Sequence, residues 1–185
     1  MSLFLIISIV WVISEILLGR TKISIDEAKN KDKSSLRILW ITILLSVAAG
    51  ITIRISGFGF IANSLQLIHN LGLILIIMGL IIRWIAILKL KSMFTVNVSI
   101  QENHQIVKSG IYRTIRHPAY LGSLLSFLGL GIAFVNWLSI ILIFIPILIS
   151  FINRIHIEEK VLIAEFGEEY LKYSNNTYRL FPGIY

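Results

Sequence analysis

The sequence contains no cysteine, only three prolines, and few acidic residues for its 185 positions. The lack of cysteine excludes disulfide bonds and a thiol nucleophile. Charged residues make up 15% of the chain, which is too little to cover the surface of a water-soluble protein of this size. The chain is instead 56% hydrophobic, and this composition predicts a protein embedded in a membrane.

Two common kinds of functional site are also missing from the sequence. The glycine pairs at positions 57/59 and 129/131 lie in or beside apolar segments and follow no strand, so they do not predict a Rossmann nucleotide site. We therefore expect any nucleotide-containing cofactor to be held by another architecture. We also predict no metal site, because none of the histidines follows a zinc-binding spacing: His69, His104, His117 and His156.

Five apolar segments are long enough, or nearly so, to cross a bilayer, which requires about 20 residues. We predict an all-α integral membrane protein with a single domain over residues 1–185, five transmembrane helices, and a cytoplasmic segment over residues 153–185. Within the fourth helix, Gly122, Gly129 and Gly131 predict close packing against a neighbouring helix. The five segments are Ser2–Gly19, Ile38–Ile55, Leu65–Leu90, Ala119–Val135 and Trp137–Ile152.

The net charge of +7 is concentrated in three regions between and after the apolar segments. Lysine and arginine are frequent in residues 20–37, in residues 89–116 and after residue 152, whereas the second loop has only Arg54 near its edge. By the positive-inside rule these three regions are cytoplasmic and the N-terminus lies outside. A basic face next to anionic lipid accounts for the charge, so we predict contact with membrane lipid and no binding of nucleic acid.

The most informative segment covers residues 110–122, where a basic and aromatic loop leads into an apolar helix through His117-Pro118. Proline is favoured at the first helical position, and the residue before it is pushed out of the α conformation. We therefore expect His117 at the cap position of this helix, flanked by Arg113 and Arg116. Because helix N-termini and nearby cations attract anions, the segment predicts a site for a small charged ligand that meets a lipid-embedded partner.

Arg154 and Glu158 are four residues apart, so both side chains lie on one face of a helix. One interpretation is a solvated ion pair worth a few tenths of a kcal/mol. The other is a functional pair, in which Arg154 binds a carboxylate and Glu158 accepts hydrogen bonds from hydroxyl or ammonium groups. Arg83, inside the third apolar segment, either extends to the membrane interface or makes a functional polar contact.

Local structure can be predicted around the fifth apolar segment. Asn136 is expected to cap the fifth helix after a tight turn from the fourth. Residues 154–173 are expected to form an amphipathic helix that Gly167 interrupts.

Several linked motifs lie between Asn97 and Pro182. They are His104-Gln105-Ile106-Val107, Ser109-Gly110-Ile111-Tyr112, Arg116-His117-Pro118-Ala119-Tyr120, Arg154 with Glu158-Glu159, Phe166-Gly167-Glu168-Glu169-Tyr170, and Leu180-Phe181-Pro182. Together these motifs resemble the isoprenylcysteine carboxyl methyltransferase family, which lies within a larger group of small membrane methyltransferases that includes phospholipid N-methyltransferases. The resemblance covers nearly half of the chain, and the first two apolar segments match only in hydrophobicity.

The resemblance implies an enzyme of five to eight spans that uses S-adenosyl-L-methionine without a Rossmann fold and releases S-adenosyl-L-homocysteine. Arg154 is implied to face the methyl acceptor, as the catalytic and substrate-binding residue. At position 97 the chain has Asn where many members carry Gln. The implied cofactor contacts, on the cytoplasmic side, are Asn97, His104, Gln105, Ile106, Val107, Tyr112, His117, Pro118, Ala119, Tyr120 and Glu158.

The chemistry favours a carboxylate acceptor, since a carboxylate with a pKa of about 3.5 is already ionised and requires no general base. We therefore expect carboxyl O-methylation of a lipophilic or prenylated, isoprenylcysteine-like substrate. An ammonium acceptor would first have to lose a proton, and no residue is an evident base. N-methylation of phospholipid or another lipophilic amine, a membrane reductase, and a non-enzymatic scaffold or transporter are the alternatives.

Overall fold

The computed structural model describes residues 3–21, 33–61, 65–91, 105–183 and 185 of the chain. Two of the predicted cofactor contacts, Asn97 and His104, lie outside the described residues. The described part contains six α-helices, a 3₁₀ turn at Gly110–Arg113 and two isolated β-bridges. The helices are α1 (Leu3–Thr21), α2 (Lys33–Ser56), α3 (Leu65–Leu90), α4 (Pro118–Ala133), α5 (Trp137–Phe166) and α6 (Glu168–Asn175).

Each of the five predicted apolar segments overlaps one of the helices α1 to α5. Among the described residues, α2, α3 and α5 are long and apolar enough to cross a membrane, whereas α1 and α4 are apolar but shorter. Many large apolar side chains on the outside of the helices are exposed, as at Leu44, Ile55 and Leu88, and this surface suits contact with lipid. The predicted all-helical architecture is confirmed, with three helices of spanning length.

Helices α3 and α4 pack backbone to backbone through two pairs of glycines. A Cβ atom at Gly72 would lie 2.6 Å from the carbonyl oxygen of Gly129, and one at Gly79 would lie 2.5 Å from that of Gly122. The reversed order of the pairs shows that the two helices are antiparallel. A Cβ at Gly131 would also lie 2.9 Å from a Cα atom of α5, so the predicted close packing at Gly122, Gly129 and Gly131 is confirmed.

The turn between α4 and α5 is fixed by Asn136, which is completely buried. Its side-chain oxygen accepts a hydrogen bond from the Ser139 backbone N–H at 3.0 Å, and its amide nitrogen donates to the Phe58 carbonyl at 2.7 Å. The first bond caps the N-terminus of α5, as predicted. The second ties the α4–α5 turn to the loop after α2.

Helix α5 extends well beyond the expected end of the fifth span at residue 152 and continues to Phe166. No helix-breaking residue occurs between these positions, so the helix continues after the sequence becomes charged. Gly167 then adopts φ 51° and ψ −126°, a conformation that side-chain-bearing residues rarely adopt, and α6 begins at Glu168. The predicted break at Gly167 is confirmed. The end of the fifth span at residue 152 stays a prediction, because the helix continues through this position.

Candidate functional site

The N-terminus of α4 forms the centre of the candidate site. His117 occupies the N-cap position and Pro118 the first turn, as predicted, although the His117 side chain makes no capping hydrogen bond. The His117 backbone N–H donates instead to the Arg179 carbonyl at 3.1 Å, and the Arg116 N–H donates to the Tyr178 carbonyl at 2.8 Å. The start of α4 is therefore joined to the C-terminal segment that follows α6.

Tyr120, in the first turn of α4, connects Arg154 with Glu158. Arg154 Nε donates to the Tyr120 hydroxyl at 3.1 Å, and this hydroxyl donates to Glu158 Oε2 at 2.7 Å. The Tyr120 ring stacks on His117, with ring centroids 5.6 Å apart and an interplanar angle of 6°, and it also packs against Phe151. The predicted residues His117, Tyr120, Arg154 and Glu158 are thus brought together.

The second helix also contributes to this cluster. Arg154 is only 2% exposed, and its Nη1 donates to the Ser35 hydroxyl at 3.0 Å. Ser35 lies in the first turn of α2 and is itself buried. The burial of Arg154 and its contacts with two helices exclude the interpretation of a solvated surface ion pair.

A second cluster surrounds Glu159, which is 6% exposed. Arg116 Nε donates to Oε1 of Glu159 at 2.9 Å, and Arg179 Nε donates to Oε2 at 2.8 Å. His117 Nε2 lies 3.4 Å from Oε1. Each oxygen of this carboxylate therefore accepts from one guanidinium, and the cluster joins α5 to both the α4 N-terminus and the C-terminal segment.

Arg116 also holds the end of α6. Its Nη1 donates to the Ser174 carbonyl at 2.7 Å and to the Thr177 carbonyl. The Tyr178 backbone N–H donates to the Thr114 carbonyl at 2.9 Å. These bonds fix the C-terminal segment against the loop before α4, which places both beside the predicted site.

Tyr112, another predicted cofactor residue, is buried in the 3₁₀ turn. Its hydroxyl donates to the Ala86 carbonyl at 3.3 Å, and its own carbonyl accepts from the Tyr173 hydroxyl at 2.7 Å. Burial raises the pKa of Tyr173 to about 12, with a smaller opposite effect from Arg116, so this phenol remains a donor at neutral pH. Tyr112 is thereby anchored to both α3 and α6.

Gln105 and Ile106 line a cavity of about 340 Å³ beside the junction of α5 and α6. Lys108, Phe166 and Glu169 complete its lining. Two of the predicted cofactor residues therefore line this cavity, whereas Tyr112, His117 and Tyr120 do not line it. Val107 follows directly in the chain, and Pro118 and Ala119 are buried in the first turn of α4.

The Arg83 side chain makes polar contacts with α1 and with the start of α4. It is 11% exposed, its Nη2 donates to Glu15 Oε2 at 2.7 Å, and its Nη1 donates to the Ala119 carbonyl at 3.2 Å. Beside it, Trp84 Nε1 donates to the Ser14 hydroxyl at 2.8 Å. These bonds join α1 to α3 and to the start of α4, and a functional role of the Arg83 contacts stays a prediction.

Several residues of these clusters had no individual role in the sequence-based expectations, among them Glu159, Arg179, Ser35 and Glu15. Glu159 could have been suspected from its position next to Glu158, and Glu15 from its place as an acidic residue in an apolar helix. Ser35 and Arg179 show no such feature, because each reaches the site through a contact distant in sequence. Ser35 is 119 residues from its partner Arg154.

Comparison with known proteins relates the chain to a family. A family model described as the isoprenylcysteine carboxyl methyltransferase family matches residues 72–164, just over half of the chain. This range contains His117, Tyr120, Arg154 and Glu158, whereas Arg179 and the rest of the C-terminal segment lie beyond it.

Similar sequences carry matching names. Protein-S-isoprenylcysteine O-methyltransferase A of Arabidopsis thaliana is 36% identical over 111 residues, which cover 59% of this chain and 56% of the relative. The protein-S-isoprenylcysteine O-methyltransferase of Saccharomyces cerevisiae is 36% identical over 107 residues, covering 57% of this chain and 45% of the relative. The chain thus spans about half the length of the relatives it matches.

A solved structure has a similar fold. The eukaryotic intramembrane Ras methyltransferase, an isoprenylcysteine carboxyl methyltransferase, superposes with a TM-score of 0.66 at 27% sequence identity. The superposition covers 83% of this chain and 54% of that one. Together with the apolar helices, this likeness shows that the chain is an integral membrane protein, and the resemblance found in its motifs is confirmed: the chain belongs to the isoprenylcysteine carboxyl methyltransferase family.

Proposed function

We propose that this protein transfers a methyl group from S-adenosyl-L-methionine to the carboxylate of a membrane-partitioned, prenylated cysteine or a similarly apolar thioether. The observation that carries the proposal is the meeting of Arg154 and Glu158 on the hydroxyl of Tyr120. A buried anchor for a carboxylate and a partly exposed, ligand-binding carboxylate thereby lie in one cluster. The names of the relatives support the same reaction.

Arg154 is the acceptor-binding residue in this proposal. Its guanidinium is buried and oriented by Tyr120 and Ser35, and guanidinium groups bind carboxylates through paired hydrogen bonds. The acceptor carboxylate is ionised at neutral pH, so the chain has to align it and exclude water and does not have to remove a proton. Catalysis by alignment is consistent with the absence of an evident general base among the described residues.

Glu158 is the cofactor-binding residue whose environment best fits a polar ligand. Its side chain is 30% exposed, and in the described residues it has one strong donor, Tyr120, with His117 Nδ1 at 3.8 Å. A carboxylate with two oxygens has capacity for further donors, such as the hydroxyl and ammonium groups of S-adenosyl-L-methionine. That molecule supplies an electrophilic methyl group carried by a sulfonium.

The remaining proposed cofactor contacts precede α4 in the sequence or belong to its first turn. Gln105 and Ile106 border an open cavity, and His117 and Tyr120 lie beside the carboxylate. Asn97 and His104 complete the proposed set from outside the described residues. The full proposed set is Asn97, His104, Gln105, Ile106, Val107, Tyr112, His117, Pro118, Ala119, Tyr120 and Glu158.

The proposed arrangement in the membrane follows from the distribution of charge. We propose that residues 1–185 form one domain in which α1 to α5 all cross the bilayer, with the N-terminus outside and the cofactor site and C-terminus in the cytoplasm. Because the chain has no cysteine, single cysteines can be labelled cleanly. Lys108→Cys should react with an impermeant maleimide from the cytoplasmic side and Asn63→Cys from the outside; labelling of position 63 from the cytoplasm would overturn the orientation.

The proposed activity is tested by calorimetric titration of the purified full chain with S-adenosyl-L-homocysteine, followed by transfer assays with S-adenosyl-L-methionine. We expect micromolar binding, roughly −8 kcal/mol, and transfer to a prenylcysteine analogue with a free carboxylate. Lack of saturable binding in a detergent that preserves the fold would overturn the methyltransferase proposal. Transfer to phosphatidylethanolamine and not to the prenylcysteine analogue would overturn the carboxylate acceptor.

A further inference from the structure

The Tyr120 hydroxyl is the atom at which the two halves of the proposed site meet. It accepts a hydrogen bond from Arg154 Nε at 3.1 Å and donates its own proton to Glu158 Oε2 at 2.7 Å. Arg154 belongs to the acceptor half and Glu158 to the cofactor half, so any coupling between them rests on the proposed function. A single oxygen therefore touches both binding groups.

The position of this hydroxyl is fixed by the packing of the tyrosine ring. His117 stacks on the ring with an interplanar angle of 6°, and Phe151 packs against it with centroids 5.2 Å apart. His117 is held in turn near Glu159, with Nε2 at 3.4 Å from Oε1. Because the ring is held by two aromatic neighbours, the hydroxyl responds to its hydrogen-bond partners mainly through the strength of its bonds and little through movement.

Hydrogen bonds that share one hydroxyl influence each other. A hydroxyl that donates to a carboxylate becomes a better acceptor, because the negative charge polarises the O–H bond. Glu158 thus strengthens the bond between Tyr120 and Arg154. A ligand that donates hydrogen bonds or positive charge to Glu158 reduces this polarisation and weakens the hold of Tyr120 on the guanidinium.

We propose that Tyr120 couples the two binding sites, so that occupation of Glu158 by the cofactor makes Arg154 more available to the acceptor carboxylate. Coupling between two sites is reciprocal, so bound acceptor must also tighten the binding of the cofactor by the same factor. If Tyr120 only fills space, each ligand binds with an affinity that does not depend on the other. Tyr120 is in this respect a positioning residue for Arg154.

The coupling is measured as the ratio of two dissociation constants of S-adenosyl-L-homocysteine, without and with saturating N-acetyl-S-farnesylcysteine. The full chain in detergent micelles is used, and no turnover occurs because this probe carries no transferable methyl group. We expect the parent protein to bind S-adenosyl-L-homocysteine about fivefold more tightly when the acceptor is present. In Tyr120→Phe this ratio should fall to about one.

Tyr173→Phe is the matched control. Tyr173 is buried and donates one hydrogen bond, to the Tyr112 carbonyl at 2.7 Å, and this bond involves neither Arg154 nor Glu158. Loss of a hydrogen-bonded tyrosine hydroxyl can weaken cofactor binding in either variant through a local change in structure. Only Tyr120→Phe should change the ratio, because only this variant removes the shared oxygen.

The proposal is overturned if Tyr120→Phe keeps the parent ratio, or if the parent itself shows a ratio of one while binding both ligands. Failure of the parent to bind S-adenosyl-L-homocysteine at all would instead overturn the proposed function, so the two failures are distinct. Should Tyr120→Phe fail to fold, Glu158→Gln decides the question. Its amide keeps the size of the side chain and loses the charge, so the ratio should fall, and an unchanged ratio would contradict the coupling.

Discussion

Two adjacent glutamates, Glu158 and Glu159, have opposite environments in this protein. Glu159 is almost completely buried, and each of its oxygens accepts a hydrogen bond from an arginine. Glu158 is partly exposed and accepts one strong bond, from Tyr120, among the described residues. The oxygens of Glu159 therefore accept their hydrogen bonds from within the fold, whereas those of Glu158 can still accept hydrogen bonds from a ligand.

The difference arises because consecutive residues of an α-helix point about 100° apart. Glu159 is directed toward the loop before α4 and the C-terminal segment, where Arg116 and Arg179 lie. Glu158 is directed toward the first turn of α4, where Tyr120 lies. Because of this rotation between neighbouring positions, Glu159 is a structural residue and Glu158 is a candidate ligand-binding residue.

The largest effect is expected from Glu159→Gln, because it leaves two guanidinium groups beside a neutral amide in a buried site. Removal of one partner from a buried ion pair costs about 3–5 kcal/mol, so the thermal midpoint should fall by about 10 °C. Glu158→Gln is the same chemical change one residue away and should shift the midpoint by only a few degrees. Equal losses in the two variants, measured by intrinsic fluorescence in detergent, would contradict the comparison.

Arg154→Ala tests the functional half of the comparison. Removal of the proposed acceptor anchor should slow methyl transfer by about 2–4 kcal/mol, or roughly 30- to 1000-fold. Binding of S-adenosyl-L-homocysteine should remain within a fewfold of the parent, since the anchor is assigned to the acceptor. Arg154→Lys retains the charge and loses the planar fork, so it should lie between the parent and the alanine variant. A large loss of cofactor affinity in Arg154→Ala would place this residue in the cofactor half.

Glu158→Gln should weaken the binding of S-adenosyl-L-homocysteine, because a neutral amide is a poorer acceptor for hydroxyl and ammonium donors. Hydrogen bonds to charged groups contribute about 1.5–3 kcal/mol, which corresponds to roughly 10- to 100-fold in the dissociation constant. Titration calorimetry on the folded variant measures this directly. An unchanged dissociation constant would show that Glu158, like Glu159, acts within the fold alone.

The smallest effect is expected from Arg179→Gln. The Arg179 side chain is 34% exposed, so solvent screens its bond with Glu159 and the loss should be about 1 kcal/mol or less. Arg116→Gln should cost more, because Arg116 is 8% exposed and also donates to carbonyl groups at the end of α6. Thermal midpoints of the two variants rank the two arginines, and a larger loss at Arg179 would reverse the expected order.

Local rules in the sequence predicted the ends of several helices correctly. Pro118 predicted the start of α4, Asn136 the start of α5, and Gly167 the break before α6. Each of these residues acts through its own backbone or side chain, so its effect can be recognised without knowledge of the fold. The predicted span over residues 137–152 and the start of the predicted amphipathic helix over residues 154–173 form one continuous helix, because a change from apolar to charged residues marks the end of a hydrophobic surface and does not break a helix.

Long-range contacts, in contrast, were beyond the reach of local rules. The sequence favoured neither of two interpretations of Arg83, extension to the membrane interface or a functional polar contact, and it did not indicate that Glu15, 68 residues earlier, is a partner. Ser35 had no distinguishing feature at all. These contacts depend on which helices become neighbours, and the backbone packing of α3 on α4 is one step in that arrangement.

From its residues alone this chain could be recognised as a helical membrane protein, with most of its helix ends in place and with motifs that relate it to a methyltransferase family. The length of an apolar segment and the presence of helix-breaking residues are local properties, so they can be recognised in the sequence. The folded arrangement was needed to show that Glu159 is held by Arg116 and Arg179 while Glu158 faces Tyr120 and Arg154. The environment of a carboxylate is set by the donors that surround it, and those donors come from segments that only folding brings together.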